Sequence, residues 1–232
     1  MILARVRAAL LIALALATAC TRDHKQPEPA EKPTLLLLTS LPLVFGEGFS
    51  LEGGSPALAA LRQRYDVVPI SVTSRPELQK GQLLLMAQPL AQTPENLVAL
   101  DDWVRGGGRL MLLADPLLEW PSERPLTDPL RPPPMFMDTG LLQHWGLRLD
   151  APNQRGPQTR KLGGHTVLTA SPGALVGSCQ IGTDRLMAQC EVGKGRATIV
   201  ADADFLDVER IDGPAEHNLE ALLAELAKLA RR

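Results

Sequence analysis

The sequence predicts an α/β protein of three layers, with helices on both faces of a mostly parallel sheet. Three observations carry this. Short, continuous apolar runs of strand length recur along the chain, as in Thr34–Leu38, Gln82–Ala87 and Arg109–Ala114. Segments with helical spacing separate them. Strands that are apolar on both sides, alternating with helices, belong to parallel sheets covered on both faces.

The elements follow in order. After the run Thr34–Leu38, Ser55-Pro56 has the form of an N-cap followed by proline at the first helical position, and the helix continues through Leu58, Leu61 and Tyr65. Val67–Val72 is the next strand, and Pro69 within it, lacking an N–H, assigns it to a sheet edge. Gln82–Ala87 is a buried-type strand. Thr93-Pro94-Glu95 opens the clearest helix, in which Leu97, Leu100 and Val104 recur at helical spacing beside Trp103, and Gly106-Gly107-Gly108 stops it. Arg109–Ala114 is the strand after it, and a proline-rich loop runs from Leu117 to Met137. Asp138 caps a helix to Trp145, and residues 151–164 are polar and irregular. A short β region then comprises Leu175–Ile181, Leu186–Val192 and Ala197–Ala201, followed by an amphipathic helix over Pro214–Ala230 with Leu219, Leu222, Leu223, Leu226 and Leu229 on one stripe. The expected fold is flavodoxin-like, with a β-hairpin inserted late.

Bulk properties narrow the function classes. At 232 residues the chain has room for one sizeable core. A formal net charge of −2 supplies no basic field for nucleic acid, and 3% aromatic content leaves few stacking platforms for bases. The start has the form of a targeting segment. Arg5 and Arg7 precede the apolar run Ala8–Ala19, which is shorter than the roughly 20 residues a membrane-spanning helix needs. Ala17-Thr18-Ala19-Cys20 resembles the lipobox of bacterial lipoproteins, although that pattern prefers leucine where Ala17 stands, a departure that leaves simple secretion or an uncleaved anchor open. The resemblance implies a signal peptide over 1–19, lipid on Cys20, and a membrane-anchored protein of the cell envelope facing the periplasm. Residues 20–33, rich in proline and charge, are its tether, and 34–232 a single α/β domain. Cys179 and Cys190 flank the turn Gly182-Thr183-Asp184, which sets them opposite each other as either a cross-strand disulfide or two small buried thiols.

The stretch DDWVRGGGRLMLLADP (Asp101–Pro116), the stretch GKGRATIVADADFLD (Gly193–Asp207) and the end from His217-Asn218-Leu219 resemble segments of the DUF4350 and gliding-motility GldG-like group. These are auxiliary proteins of ABC transport systems with a class I glutamine-amidotransferase-like fold. The resemblance implies a non-enzymatic, membrane-tethered accessory role with a transporter or envelope component as protein partner, and no cofactor. It supplies no catalytic residues.

Active amidotransferases place a nucleophilic cysteine on a sharp turn after a central strand. Here that strand runs into Gln88-Pro89-Leu90, with neither cysteine nor serine. The expected reading is therefore a scaffold without catalytic residues. Its rivals are a binding module for a small polar ligand or divalent cation, and a hydrolase using carboxylates or a metal. The candidate crevice lies at the carboxyl ends of the strands, where open sheets bind ligands. It comprises Glu47 and Gly48 in a glycine-rich loop, Asp115 after one strand, Trp120 in the proline-rich loop, and Asp202, Asp204 and Asp207 after another. Oxygen ligands of this kind suit Mg²⁺ or Ca²⁺, but aspartates after strands also cap helices and loop amides. His165 and His217 lack metal-ligand spacing, so no metal site is assigned.

Overall fold

The computed structural model describes residues 32–44 and 54–231. Five helices and eleven strands run through them: β1 (Thr34–Thr39), α1 (Pro56–Arg64), β2 (Asp66–Pro69), α2 (Arg75–Leu78), β3 (Leu83–Ala87), α3 (Pro94–Arg105) and β4 (Arg109–Leu113) form the first half. The second half holds α4 (Leu141–His144), β5 (Leu147–Asp150), β6 (Pro157–Leu162), β7 (His165–Ala170), β8 (Ala174–Gly177), β9 (Gln180–Ile181), β10 (Met187–Val192), β11 (Gly195–Val200) and α5 (Asn218–Arg231).

The main sheet has seven strands in the order β2-β1-β3-β4-β11-β10-β9. The first five are parallel to one another; β10 and β9 extend it antiparallel. β3 and β4 lie at its centre, which is why Leu83–Ala87 is buried throughout and carries no polar residue. Pro69 closes β2 at the edge, where its missing N–H breaks no ladder. The apolar periodicity decides which helix face goes inward. Leu58 and Leu61 of α1, with Leu222, Leu226 and Leu229 of α5, cover one face of the sheet. Leu100 and Val104 of α3, with Leu142 and Trp145, cover the other. Each fully buried leucine contributes about 2 kcal/mol by area. Ser55 Oγ accepts the Leu58 amide at 3.1 Å, so α1 begins at its proline as the cap pattern requires.

The flavodoxin-like expectation needs correction. The sheet is mixed, and the fifth parallel strand is not reached by one crossover helix. Between β4 and β11 the chain builds two further two-stranded sheets, β5 with β8 and β6 with β7. Two features hid them. The β6 sequence PQTRKL has one solvated face and no apolar run, so residues 151–164 read as irregular. The expected strand Leu175–Ile181 is in fact two strands in different sheets, β8 and β9. The break falls at Gly177, where a Cβ would stand 2.0 Å from Gly146 O, an approach only glycine permits. The C-terminal helix also starts later than expected, at Asn218, because His217 and the residues before it form turns.

Candidate functional site

The carboxyl ends of β4 and β11 converge on three buried aspartates. Asp115, Asp202 and Asp204 bring one carboxylate oxygen each within 4.8 Å of one another. Their neighbours are mainly amides. Asp115 Oδ1 accepts from Leu117 N at 2.8 Å, and its Oδ2 from Ala203 N at 2.8 Å. Asp202 Oδ1 accepts from Phe205 N at 2.9 Å, and its Oδ2 from Ala170 N at 3.2 Å. Asp204 Oδ2 accepts from Glu119 N at 2.8 Å. The cluster thus ties β4, β7, β11 and the proline-rich loop together. Five amide hydrogens point at these oxygens, so the cluster caps the strand exits and the loop amides as aspartates after strands commonly do.

Burial sets the electrostatics. Asp204 is pushed up to about 8, first by burial and then by the charge of Asp115. Burial raises Asp115 to about 6 against the pull of the amides of Ala203 and Leu117. Asp202 stands well above the ordinary carboxyl value, again by burial first, with repulsion from Asp115 and Asp204 next. At neutral pH Asp204 therefore keeps its proton, while Asp115 is largely ionised. Asp207 is raised by burial, with partial relief from Arg210, whose Nε stands 2.9 Å from Asp207 Oδ2.

A pocket of about 190 Å³ opens beside this cluster. Glu119, Asp204, Asp207 and Arg210 all line it. Glu119 is exposed, and its Oε1 accepts the Ser171 hydroxyl at 2.6 Å. Ser171 in turn accepts the Gly156 amide at 2.8 Å and sits at φ +51°, a left-handed backbone imposed by the tight end of β7.

Of the sequence candidates, Asp115, Asp202 and Asp204 are brought together and Asp207 lies at the rim. Trp120 does not line the crevice. It is buried in the core with Leu222 and Phe205, under the guanidinium of Arg210 at 5.4 Å. Glu47, Gly48, Cys20 and the segments 1–19 and 20–31 lie outside the described residues. Cys179 and Cys190 are joined as a disulfide between β10 and the residue preceding β9, away from the aspartates. Sequence reading missed Glu119 and Ser171, and took Gln88 only as a position without a nucleophile. Gln88 occupies the turn after β3 at φ +43°, the backbone form of a nucleophile elbow. Its side chain turns into the core, accepting Asp115 N at 2.9 Å and donating to Pro133 O at 3.2 Å. An amide-bearing residue at a strand tip, five residues before the cap Thr93, was the available signal.

No known protein family matches the chain, and no curated protein is similar to it. Solved structures are. The exo-β-1,4-mannosidase Op5Man5 from Opitutaceae bacterium strain TAV5 superposes with a TM-score of 0.51 at 13% identity, over 86% of this chain and 36% of its own. Gan42B, a GH42 β-galactosidase from G. stearothermophilus, gives 0.53 at 12% identity, over 86% of this chain and 30% of its own. The cytoplasmic protein STM3548 from Salmonella typhimurium gives 0.50 at 13% identity, over 84% of this chain and 98% of its own. The chain spans about a third of the length of the two glycosidases.

These likenesses correct two expectations. The fold is an α/β one shared with parts of glycoside hydrolase chains, in place of the flavodoxin-like assignment. The expectation of a non-enzymatic accessory domain of a transport system is corrected with it, since the chains that share the fold include glycoside hydrolases. That expectation leaned on the missing cysteine or serine after β3. Glycoside hydrolysis uses two carboxyl groups and no such nucleophile, so an empty elbow does not exclude it.

Proposed function

We propose that the chain is a hydrolase-type domain acting on a glycosidic bond at the pocket lined by Glu119 and Asp204. The observation that carries the reading is a buried carboxyl, Asp204, pushed up to about 8, that lines an open pocket together with a second carboxyl, Glu119. Pairs of carboxyls in unlike environments divide into acid and base. In this reading Asp204 donates its proton to the leaving oxygen as the C–O bond breaks. Glu119, oriented by Ser171, takes a proton from the water that attacks the sugar carbon. The proton gained at Glu119 returns through solvent to Asp204, with Asp115 behind it to share the charge. The likeness to glycosidase chains supports the substrate class.

The test is turnover of a panel of chromogenic aryl glycosides by the full-length chain. The expected result is release that falls at pH above about 8 as Asp204 loses its proton. Asp204→Asn and Glu119→Gln are each expected to cost about 100-fold or more. Turnover unchanged in both variants, or no turnover across the panel, overturns the reading.

A further inference from the structure

A second polar cavity lies away from the aspartates, on the antiparallel extension of the sheet. It holds about 440 Å³, within the range of small-molecule sites. Its floor is a cross-strand row. Gln189 is registered with Gln180 of β9 on one side and with Thr198 of β11 on the other. The three side chains share the face of the sheet that α5 covers farther along. Thr198 is 3% exposed and lines the cavity, and it is not among the buried side-chain atoms left without a partner, so its hydroxyl is open to the cavity. The charges around the row are already matched. Glu191 and Arg196, also registered opposite each other, form an ion pair at 3.3 Å. Lys228 of α5 is held by Glu225 Oε1 at 2.5 Å and donates to Gly163 O at 2.9 Å.

We infer that this row binds a neutral saccharide. Two primary amides and a hydroxyl offer donors and acceptors in equal measure, which suits a ligand whose every group is both. Paired charges leave no net field to select an ion, while the ion pair can still direct oxygens to a sugar hydroxyl. The site is separate from the Asp204 pocket and is a binding site, not a reacting one. It goes beyond the hydrolase reading by giving the domain a place to hold a sugar chain apart from the bond it cleaves.

The test is NMR titration of the full-length chain with galactose, mannose, glucose and their disaccharides, following the side-chain amides of Gln180 and Gln189. Glycerol serves as the non-specific polyol. Saturable shifts with a sugar, at a Kd of about 1 mM or tighter, and none with glycerol are expected. Thr198→Val replaces the hydroxyl with a methyl of the same shape. It is expected to leave the melting temperature unchanged or raised while weakening binding about fivefold or more. Gln189→Leu is expected to weaken it about tenfold. Asp204→Asn leaves this binding intact, which separates the inference from the fate of the hydrolase reading. Equal shifts with glycerol, no saturable shift with any sugar, binding of phosphate in place of sugar, or wild-type affinity in Thr198→Val each overturns it.

Discussion

The Asp115 carboxylate and the Ala203 amide, 88 residues apart in the chain, meet at 2.8 Å across the tips of two neighbouring parallel strands. Asp115 uses its other oxygen on Leu117 N, so one side chain fixes both the exit from β4 and the exit from β11. Truncation strands two amides in a site without solvent. Asp115→Ala is expected to lower unfolding stability by about 3 kcal/mol, and Asp115→Asn, which retains one acceptor, by about half as much. Urea denaturation followed by far-UV circular dichroism measures both. Equal costs for the two variants would mean that the amides find other partners.

The proton content of the cluster gives stability a sign with pH. Asp204 and Asp115 have folded values of about 8 and about 6, above the ordinary carboxyl value near 3.8, and Asp202 is raised as well. The folded state therefore binds protons that the unfolded chain has released. Their contribution is complete below pH 3.8 and is lost as pH rises through about 6 and then about 8. Between those limits each group that stays protonated changes stability by up to about 1.4 kcal/mol per pH unit. The lowered values of Asp101 and Asp150 act oppositely, and only toward the acid end. The melting temperature is thus expected to fall from pH 5 to pH 8, and Asp204→Asn to flatten the slope. A melting temperature rising across that range would contradict the buried, protonated cluster.

The Cys179–Cys190 disulfide continues the β9–β10 ladder where the pairing would otherwise end. β9 contributes only two registered pairs, Ala188 with Ile181 and Gln189 with Gln180. So short an edge strand has little to hold it but the crosslink. Closing a loop of this size contributes about 3 kcal/mol through the unfolded chain. Cys179→Ser with Cys190→Ser is expected to cost that amount in urea unfolding. Hydrogen exchange should quicken at residues 179–181 and 187–190 and stay unchanged in β3. Uniform quickening over the whole sheet would assign the disulfide a global role in its place.

Much of this architecture was legible in the chain because the first half obeys simple patterns. Ser55-Pro56 and Thr93-Pro94 start helices where their caps say, and Pro69 marks an edge. The candidate site was half legible. Asp115, Asp202 and Asp204 each follow a strand that ends at the same side of a parallel sheet, so topology alone brings them together. Glu119 and Ser171 were not legible, because they reach the site through a loop without periodicity and through a hairpin whose polar face concealed it. Trp120 was misplaced for a related reason. Proline-rich neighbours signal a surface path for the backbone, but they do not fix where one large side chain points, and here it fills the core beside Phe205. The absent nucleophile after β3 was read correctly as a residue and too broadly as chemistry, since carboxyls can do the work of hydrolysis without one.

Asn218 offers the sharpest separation of shape from hydrogen bonding. Its Oδ1 accepts Leu168 N at 2.9 Å, while its Nδ2 donates to Leu168 O at 2.8 Å and to Phe205 O at 2.9 Å. One buried amide thereby joins β7, the short turn of 3₁₀ helix at Asp204–Leu206 and the start of α5. Asn218→Ala removes all three bonds and is expected to cost about 3 kcal/mol. Asn218→Asp keeps the size but turns a carboxylate oxygen toward two carbonyl oxygens in a site that is 1% exposed. At neutral pH the aspartate must either hold a charge beside like dipoles or take up a proton that the unfolded chain has released, so the aspartate variant is expected to be less stable than the alanine variant despite its better fit. Below pH 4 protonation restores one donor, and the order of the two should reverse. An aspartate variant more stable than alanine at pH 7 would show that the amide donors of Asn218 contribute little to this junction.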